Sequence, residues 1–161
     1  SGELLLRGSN LFQQYWGDRN ASRDAFAVGW FRTGDIGYRD TRGYVFINDR
    51  KTDVVISGGE NIYPAELERI LDGIDGIIEA AVVGAADDHW SEIPVAIVVI
   101  DEGAKITAQE ILSAFKGRLA RFKHAKAVGF LSALPRNVMG KVLKHEHRRA
   151  LGDGSIPLIQ R

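Results

Sequence analysis

The stretch Pro94-Val95-Ala96-Ile97-Val98-Val99-Ile100 decides the fold. It is almost entirely apolar and rich in β-branched residues, which predicts a strand that is buried on both faces of a sheet. A second apolar strand is expected at residues 77–83, immediately before it in the chain. The two strands together predict the core of a sheet that other elements cover from both sides.

Helical patterns flank this pair of strands. Pro64 stands at a favourable first helical position, and apolar residues follow it at helical spacing. Thr107 and Glu110 form a capping-box signature, which predicts a helix start. We expect the helix that they open to carry one broad apolar stripe, made of Ile111, Leu112, Phe115, Leu119 and Phe122. A last strand is expected at 126–131, a last short helix at 144–151 and a loose tail from Gly152.

The first fifty residues have a different pattern. Short extended segments at 3–7, 31–38 and 44–48 predict strands, and Asp40-Thr41-Arg42-Gly43 predicts a hairpin turn between the last two. Such a segment buries little surface by itself. We therefore predict an α+β chain: a strand-rich remnant of a larger domain at residues 1–50, followed by a small domain at 51–161 with a short mixed sheet flanked by helices. The chain opens on Ser1 without a start methionine, so we expect a longer protein.

The amino-acid composition argues against several classes of function. The 161 residues contain 21 Lys and Arg and 21 Asp and Glu, so no net charge favours nucleic acid or a membrane surface. There is no cysteine, and His145 and His147 lack further ligands at metal spacing, so no metal site is expected. The longest apolar run, residues 93–100, is far shorter than the ~20 residues of a membrane span. A reducing cytoplasm is the expected compartment.

Two polar clusters interrupt the first part of the chain. In the segment 30–37, Asp35 follows a glycine at the end of a strand, where a carboxylate can accept hydrogen bonds from a vicinal diol such as a ribose. An aspartate that caps its own turn is the alternative. In the segment 48–53, Arg50 offers a fixed fork of donors for ribose or phosphate oxygens, while Lys51 is a point charge. A surface charge run is the alternative there.

Two further clusters lie in the second part. The segment 57–64 contains Gly58 and Gly59, which allow close approach of the backbone to a ligand or to another chain segment, although the Walker spacing with its lysine is absent. A strand-to-helix turn is the alternative. In the segment 134–142, Lys141 follows a glycine on a loop, from which a mobile cation can stabilise charge on a transferring phosphoryl group. A solvated lysine at the start of a basic run is the alternative.

In order and spacing, these clusters resemble the final motifs of the adenylate-forming superfamily, the acyl-CoA synthetase and AMP-binding enzymes. The resemblance covers residues 2–149. It implies a two-step ligase reaction in which a carboxylic acid reacts with ATP and Mg²⁺ to give an acyl-adenylate, and the thiol of coenzyme A then displaces AMP. By the same resemblance Asp35 would hold the ribose of ATP with help from Arg50, and Lys141 would be the catalytic cation of adenylation.

The resemblance also implies a mobile small domain. Its hinge would be Thr52, where the family usually has Asp or Lys. Gly58, Gly59 and Glu60 would line the passage for the pantetheine arm of coenzyme A. Residues at the nucleotide end of coenzyme A would be Trp90, Phe122, Lys123, His124 and Lys126, although Phe122 also belongs to the expected apolar stripe and His124 replaces a frequent arginine.

The phosphate loop and the acid-binding pocket of the family lie upstream of these motifs. We therefore expect a missing N-terminal domain of the same protein as the partner of this chain, and no adenylation by the chain alone. The favoured function is the C-terminal part of a carboxylic acid–CoA ligase, with a fatty acid as the favoured substrate. The alternatives are an acyl-AMP ligase that loads a carrier protein and a non-catalytic module that binds a nucleotide or coenzyme A.

Overall fold

The computed structural model describes residues 1–160, and the chain divides after Thr52 into two compact units. Within residues 1–160, no helix is long and apolar enough to cross a membrane.

The first unit is built on an antiparallel sheet in which β3 is central. β1 and β2 pair with β3, and β4 joins it through the predicted turn, where the amide of Gly43 donates to the Asp40 carbonyl at 3.1 Å. A short helix connects β1 to β2. The elements are β1 (Gly2–Leu6), α1 (Arg19–Ala25), β2 (Phe26–Ala27), β3 (Trp30–Arg39) and β4 (Val45–Arg50). This unit is strand-rich, as expected, and it buries few side chains.

The second unit combines a six-stranded mixed sheet with helices, so the predicted α+β fold class is confirmed. Its first half contains β5 (Val55–Ser57), β6 (Glu60–Ile62), α2 (Pro64–Leu71), β7 (Ile77–Asp87) and β8 (Ser91–Ile100). Its second half contains α3 (Ala108–Ser113), a single 3-10 turn (Arg121–Lys123), β9 (Ala127–Phe130), α4 (Lys144–Gly152) and β10 (Leu158–Gln160).

The apolar strand at residues 94–100, part of β8, is the centre of this sheet. β7 forms a long antiparallel hairpin with one edge of β8, from Ile77 opposite Ile100 to Asp87 opposite Ser91. On the other edge, β9 runs parallel to β8 from Ala127 opposite Val95, and β5 meets the beginning of β8. β6 and β10 extend the sheet outward from β5 and β9.

Both faces of β7 and β8 are buried because helices cover each of them. One face contributes Val82 and Val98 to a core that α2 and α3 complete. The opposite face contributes Val83 and Ile97 to a second core, which includes Leu134 and residues of α4. The alternation of side chains along a strand sends neighbouring residues to these two cores. The prediction of a strand buried on both faces is therefore confirmed.

The helix starts also agree with the sequence. Pro64 is the first residue of α2. The capping box before α3 is formed, since the Glu110 amide donates to Thr107 Oγ1 at 3.3 Å and the Thr107 amide donates to Glu110 Oε2 at 2.8 Å. Reciprocal bonds of this kind satisfy amides that the first helical turn leaves without partners.

Two predictions of the sequence analysis were wrong. The helix after Thr107 ends at Ser113. It cannot continue to Phe122, because Gly117 adopts φ +73°, which lies outside the helical range. Phe115 is still fully buried, but Phe122 lies on the 3-10 turn and is 44% exposed. The tail is also not loose, since β10 pairs antiparallel with β9 and Ile156 is buried in the second core.

Candidate functional site

Asp35 is presented by an irregularity in β3. Glu3 of β1 lies opposite Ile36, whereas Leu5 lies opposite Arg32, so β3 has extra residues at this point. The hydroxyl of Thr33 fixes the bulge: it donates to the Leu4 carbonyl at 2.8 Å and accepts from the Asp35 amide at 3.0 Å. The segment between Thr33 and Asp35 is therefore held in one shape, which orients the Asp35 side chain.

Arg50 faces Asp35 across the two strands. The residues are direct partners in the β3–β4 register, and Arg50 Nε lies 2.9 Å from Asp35 Oδ1. The Asp35 side chain is 25% exposed and the Arg50 side chain 56% exposed, so a ligand can approach the pair. An acceptor and a fork of donors thus stand side by side, which suits a sugar diol next to a phosphate.

Lys51, the other cation of this segment, is engaged elsewhere. Its ammonium lies 2.9 Å from Glu3 Oε2. The hydrogen bond from Lys51 lowers the pKa of the Glu3 carboxyl below its ordinary value. Thr52 follows as an exposed residue outside the strands, at the division between the two units.

Gly58 and Gly59 form a two-residue hairpin turn between β5 and β6. The alternative of a strand-to-helix turn does not apply, because the strand β6 (Glu60–Ile62) lies between the glycines and α2. Both glycines have positive φ, +58° and +84°, as a type I′ turn requires at its two central positions. Hairpin geometry therefore explains both glycines. Glu60 follows the turn, exposed and opposite Ser57.

Trp90 lies against this turn. Its carbonyl accepts a hydrogen bond from the Gly58 amide at 2.9 Å, and a Cβ placed on Gly58 would come within 2.7 Å of Trp90 Cε3. A Cβ on Gly59 would meet nothing within 4 Å, so the side of the turn at Gly59 is open. Asp87 Oδ1 accepts from the amides of His89 and Trp90, which fixes the turn between β7 and β8. The indole is 47% exposed.

The remaining residues that the family resemblance assigns to coenzyme A differ from one another in exposure and in their partners. Phe122 is exposed, whereas His124 is buried and its Nε2 lies 3.0 Å from the Leu119 carbonyl. This burial favours a packing role for His124. Lys123 Nζ is paired with Glu66 Oε2 at 2.6 Å, and the Lys126 amide donates to the Pro94 carbonyl at 2.9 Å.

Lys141 lies on a turn that its neighbours hold by polar contacts. Asn137 Oδ1 accepts from the amides of Met139 and Lys141 at 3.0 and 2.9 Å, and the Asn137 amide donates to the Lys141 carbonyl at 2.9 Å. Arg136 and Val142 pair as an isolated bridge at the base of the turn. The Lys141 side chain is exposed, and none of the ion pairs within residues 1–160 includes it.

The second unit thus carries two groups of candidates at opposite ends of one hairpin. Arg136 Nη2 lies 2.7 Å from Glu79 Oε1, which ties the Lys141 turn to the end of the hairpin where β7 begins. Trp90 and the glycine turn lie at the other end, next to Asp87 and Ser91. From Glu79 to Asp87 the strand rises about 26 Å at its usual rise per residue. One rigid element therefore separates Lys141 from Trp90.

Sequence reasoning missed Glu79 and gave no role to Glu68. Glu79 interrupts an apolar strand, and a charged residue in such a strand indicates that it has a partner of opposite charge. Glu68 Oε1 accepts from the Val82 amide and from Lys144 Nζ, both at 2.7 Å, so it joins α2, β7 and α4. Within residues 1–160, no group of three His, Cys, Asp or Glu side chains is arranged to hold a metal ion.

Comparison with known proteins places these residues in context. Residues 66–141 match the family described as the AMP-binding enzyme C-terminal domain. The chain is 48% identical over 149 residues to an indoleacetate–CoA ligase of Aromatoleum aromaticum, covering 92% of the chain and 29% of that relative. It is 49% identical over 143 residues to a long-chain-fatty-acid–CoA ligase of Mycobacterium tuberculosis, covering 89% and 28%. The chain therefore spans less than a third of the length of these relatives.

The chain also resembles solved structures, including that of a CoA synthetase. ATP-bound MatB from Rhodopseudomonas palustris matches with a TM-score of 0.88 and 41% identity, over 94% of this chain and 30% of that one. The o-succinylbenzoate CoA synthetase of Bacillus subtilis, solved with its acyl-adenylate intermediate, matches with a TM-score of 0.85 and 38% identity, over 91% and 30%.

Proposed function

Since this chain belongs to the adenylate-forming superfamily of acyl-CoA synthetases and AMP-binding enzymes, we propose that it is the C-terminal part of an ATP-dependent carboxylic acid–CoA ligase. The protein would need the missing N-terminal domain, which in this proposal supplies the phosphate loop and the acid pocket. Fatty acids are the first substrate class to test, and the cytoplasm is the proposed compartment.

One observation carries the proposal. The second unit presents an exposed lysine at one end of the β7–β8 hairpin and a glycine turn with an exposed tryptophan at the other. A reaction with two half-reactions can use two separate surfaces of one rigid body in turn. A module that only bound a nucleotide would need a single surface.

In the first half-reaction, a carboxylate oxygen of the acid attacks the α-phosphorus of ATP, the bond to the β-phosphate oxygen breaks, and pyrophosphate leaves. We assign Lys141 to the negative charge that builds up on the carboxylate and phosphate oxygens at this step, where a cation is most effective. Asp35 would accept hydrogen bonds from the ribose hydroxyls, and the outer nitrogens of Arg50 would donate to the sugar or phosphate. Mg²⁺ would accompany ATP as part of the substrate.

In the second half-reaction, the thiol of coenzyme A attacks the acyl carbonyl carbon, loses its proton, and AMP leaves as the carbon–oxygen bond breaks. Gly58, Gly59 and Glu60 would line the path of the pantetheine arm, and the open space beside Gly59 supports this assignment. Trp90 and Phe122 offer exposed aromatic faces to the nucleotide end, with Lys123, His124 and Lys126 nearby in sequence. Thr52 would be the hinge between the two arrangements.

The relatives favour coenzyme A as the acceptor over a carrier protein, since the matches are named as CoA ligases. The test uses the full-length protein with ATP, Mg²⁺, a panel of fatty and aryl acids, and either coenzyme A or a pantetheinylated carrier protein. Mass spectrometry would detect acyl-AMP and the thioester. We expect acyl-CoA. Acyl-AMP with thioester only on the carrier would favour the acyl-AMP ligase alternative, and a folded protein that makes no acyl-AMP from any acid would contradict the proposal.

A further inference from the structure

The guanidinium of Arg136 contacts the residue that precedes Lys141. Its Nη1 donates to the Gly140 carbonyl at 2.6 Å, and its Nη2 donates to Glu79 Oε1 at 2.7 Å. The Gly140 carbonyl belongs to the peptide group whose nitrogen is that of Lys141. Arg136 therefore connects the start of the Lys141 backbone to β7, an element of the rigid sheet.

Apolar packing holds the base of this turn but not its tip, since Val142 packs against the second core. Val138 and Met139 at its tip are 106% and 88% exposed, so they bury no surface that could fix the loop. The hydrogen bonds to Asn137 close the turn on itself, but they do not connect it to the sheet. Arg136 supplies a polar connection from Gly140, next to the tip, to Glu79 of β7.

The ion pairs around the turn also leave the charge of Lys141 available to a substrate. The Glu79 carboxylate is paired with Arg136, and the Lys141 ammonium takes part in none of the ion pairs found between residues 1 and 160. A carboxylate that paired with Lys141 would compete with an anionic substrate for its charge. Arg136 thus occupies the nearby acid while it holds the Gly140 peptide.

We propose that Arg136 is the positioning residue for Lys141 and that Glu79 keeps its guanidinium in the required orientation. This rests on the proposed function for the role of Lys141. Lysine at position 136 would keep the charge but lose the fixed fork that reaches two acceptors in different directions. A misplaced Lys141 would then slow adenylation and leave the thioester step, whose residues lie at the other end of the hairpin, unaffected.

The test compares Arg136→Lys, Glu79→Gln and a control, Arg42→Lys, in the full-length protein. Arg42 forms a similar ion pair with Asp40 at 3.3 Å, within the β3–β4 turn of the first unit. Hydrogen exchange of a peptide covering residues 137–143 reports the turn itself. We expect faster exchange in the first two variants and no change in the control. Unchanged exchange in Arg136→Lys would overturn the proposal.

The half-reactions provide the second readout. We expect Arg136→Lys to slow acyl-AMP formation about tenfold or more, because a small misplacement of a catalytic group is costly, and to leave thioester formation from supplied acyl-AMP nearly unchanged. A parallel loss of both half-reactions would indicate general destabilisation and would also overturn the proposal. If the unsubstituted protein makes no acyl-AMP, the proposed function fails, and hydrogen exchange still decides whether Arg136 holds the turn.

A variant in which the two charges are swapped distinguishes the effect of the Arg136–Glu79 ion pair from that of the contact with the Gly140 carbonyl. The double variant Glu79→Arg/Arg136→Glu restores opposite charges, but a carboxylate at position 136 cannot donate a hydrogen bond to the Gly140 carbonyl. We expect exchange at the turn to stay fast and adenylation to stay slow in this variant. Recovery of both to the values of the unsubstituted protein would show that the ion pair alone matters and would contradict the positioning role.

Discussion

Arg50 Nε lies 2.9 Å from Asp35 Oδ1, and the two residues face each other in the register of β3 and β4. The pair occupies only one nitrogen of the guanidinium fork. The outer nitrogens remain available to a ligand that also contacts the carboxylate. In the proposed ligase, this arrangement would hold the ribose of ATP with its adjoining phosphate.

Replacing Arg50 by lysine should weaken ATP binding by the full-length protein about tenfold, because lysine cannot pair with Asp35 and donate to the nucleotide in the same geometry. Asp35→Asn should have an effect in the same direction, since it removes both the ion pair and the charged acceptor. Titration calorimetry with a non-hydrolysable ATP analogue would measure the dissociation constants. Arg42→Lys is the matched control, and equal affinity in all three variants would refute the assignment.

The two glycines of the β5–β6 turn should respond differently to substitution. Alanine at Gly58 would meet Trp90 at 2.7 Å as well as the strain of positive φ, whereas alanine at Gly59 would meet only the strain. We expect Gly59→Ala to lower the free energy of unfolding by about 1 kcal/mol, and Gly58→Ala by roughly 1–2 kcal/mol more. Urea unfolding followed by circular dichroism gives both values.

The double variant Gly58→Ala/Trp90→Ala tests the cause of that difference. Removing the indole should remove the additional loss of unfolding free energy. When Trp90 is already alanine, Gly58→Ala should then be no more destabilising than Gly59→Ala. If Gly58→Ala and Gly59→Ala are equally destabilising from the start, the close contact with Trp90 has no energetic consequence.

His147 should make the second unit sensitive to acid. The side chain is 1% exposed, its Nε2 has no hydrogen-bond partner within residues 1–160, and burial lowers its pKa, with Glu146 acting in the opposite sense and Lys144 in the same sense. The unfolded chain therefore takes up a proton at higher pH than the folded chain. Stability is fully present above the unfolded pKa of about 6.5 and is lost as the pH falls below it, by up to about 1.4 kcal/mol per pH unit.

Unfolding free energies between pH 8 and pH 5.5 would measure this slope. His147→Gln removes the titrating group, so its stability should depend less on pH, whatever its absolute value. His145→Gln is the control, because His145 is exposed on the same helix. A slope that persists in His147→Gln would assign the acid sensitivity to another group.

The ion pair between Arg148 and Asp53 should stabilise the second unit. Arg148 Nη2 lies 2.9 Å from Asp53 Oδ1, and the side chains are 30% and 19% exposed. The contact fastens α4 to the residue that follows the proposed hinge at Thr52. Arg148→Ala should lower the unfolding free energy by roughly 1–2 kcal/mol, since it leaves a partly buried carboxylate without its partner. Arg149→Ala, an exposed neighbour on the same helix, should change it little, and equal losses would contradict the role of the pair.

The features that sequence predicted well are local. The capping box at Thr107 and Glu110, the start of α2 at Pro64 and the apolar strand at residues 94–100 each depend on residues close in the chain, so their patterns are visible without the fold. The stop before Phe122 is also local, because Gly117 lies within the expected apolar stripe and adopts a positive φ.

Long-range pairings could not be predicted in the same way. The partner of β10 is β9, about thirty residues earlier, and nothing in Leu158–Gln160 specifies it. Arg136 and Glu79 are 57 residues apart, and Asp35 meets Arg50 only because a bulge and a strand register bring them together. The resemblance to a family indicated which residues to consider, whereas the contacts that orient them required the structure.

The most direct test of the proposed ligase mechanism compares Lys141→Ala with Trp90→Ala in the full-length protein, with each half-reaction measured separately by quenched-flow mass spectrometry. We predict that Lys141→Ala lowers the rate of acyl-AMP formation about a hundredfold or more and leaves thioester formation from supplied acyl-AMP within about twofold. Trp90→Ala should show the reverse pattern, with coenzyme A binding weakened and adenylation preserved. If either variant slows both half-reactions equally, the two ends of the β7–β8 hairpin do not serve separate steps, and the proposed mechanism is wrong.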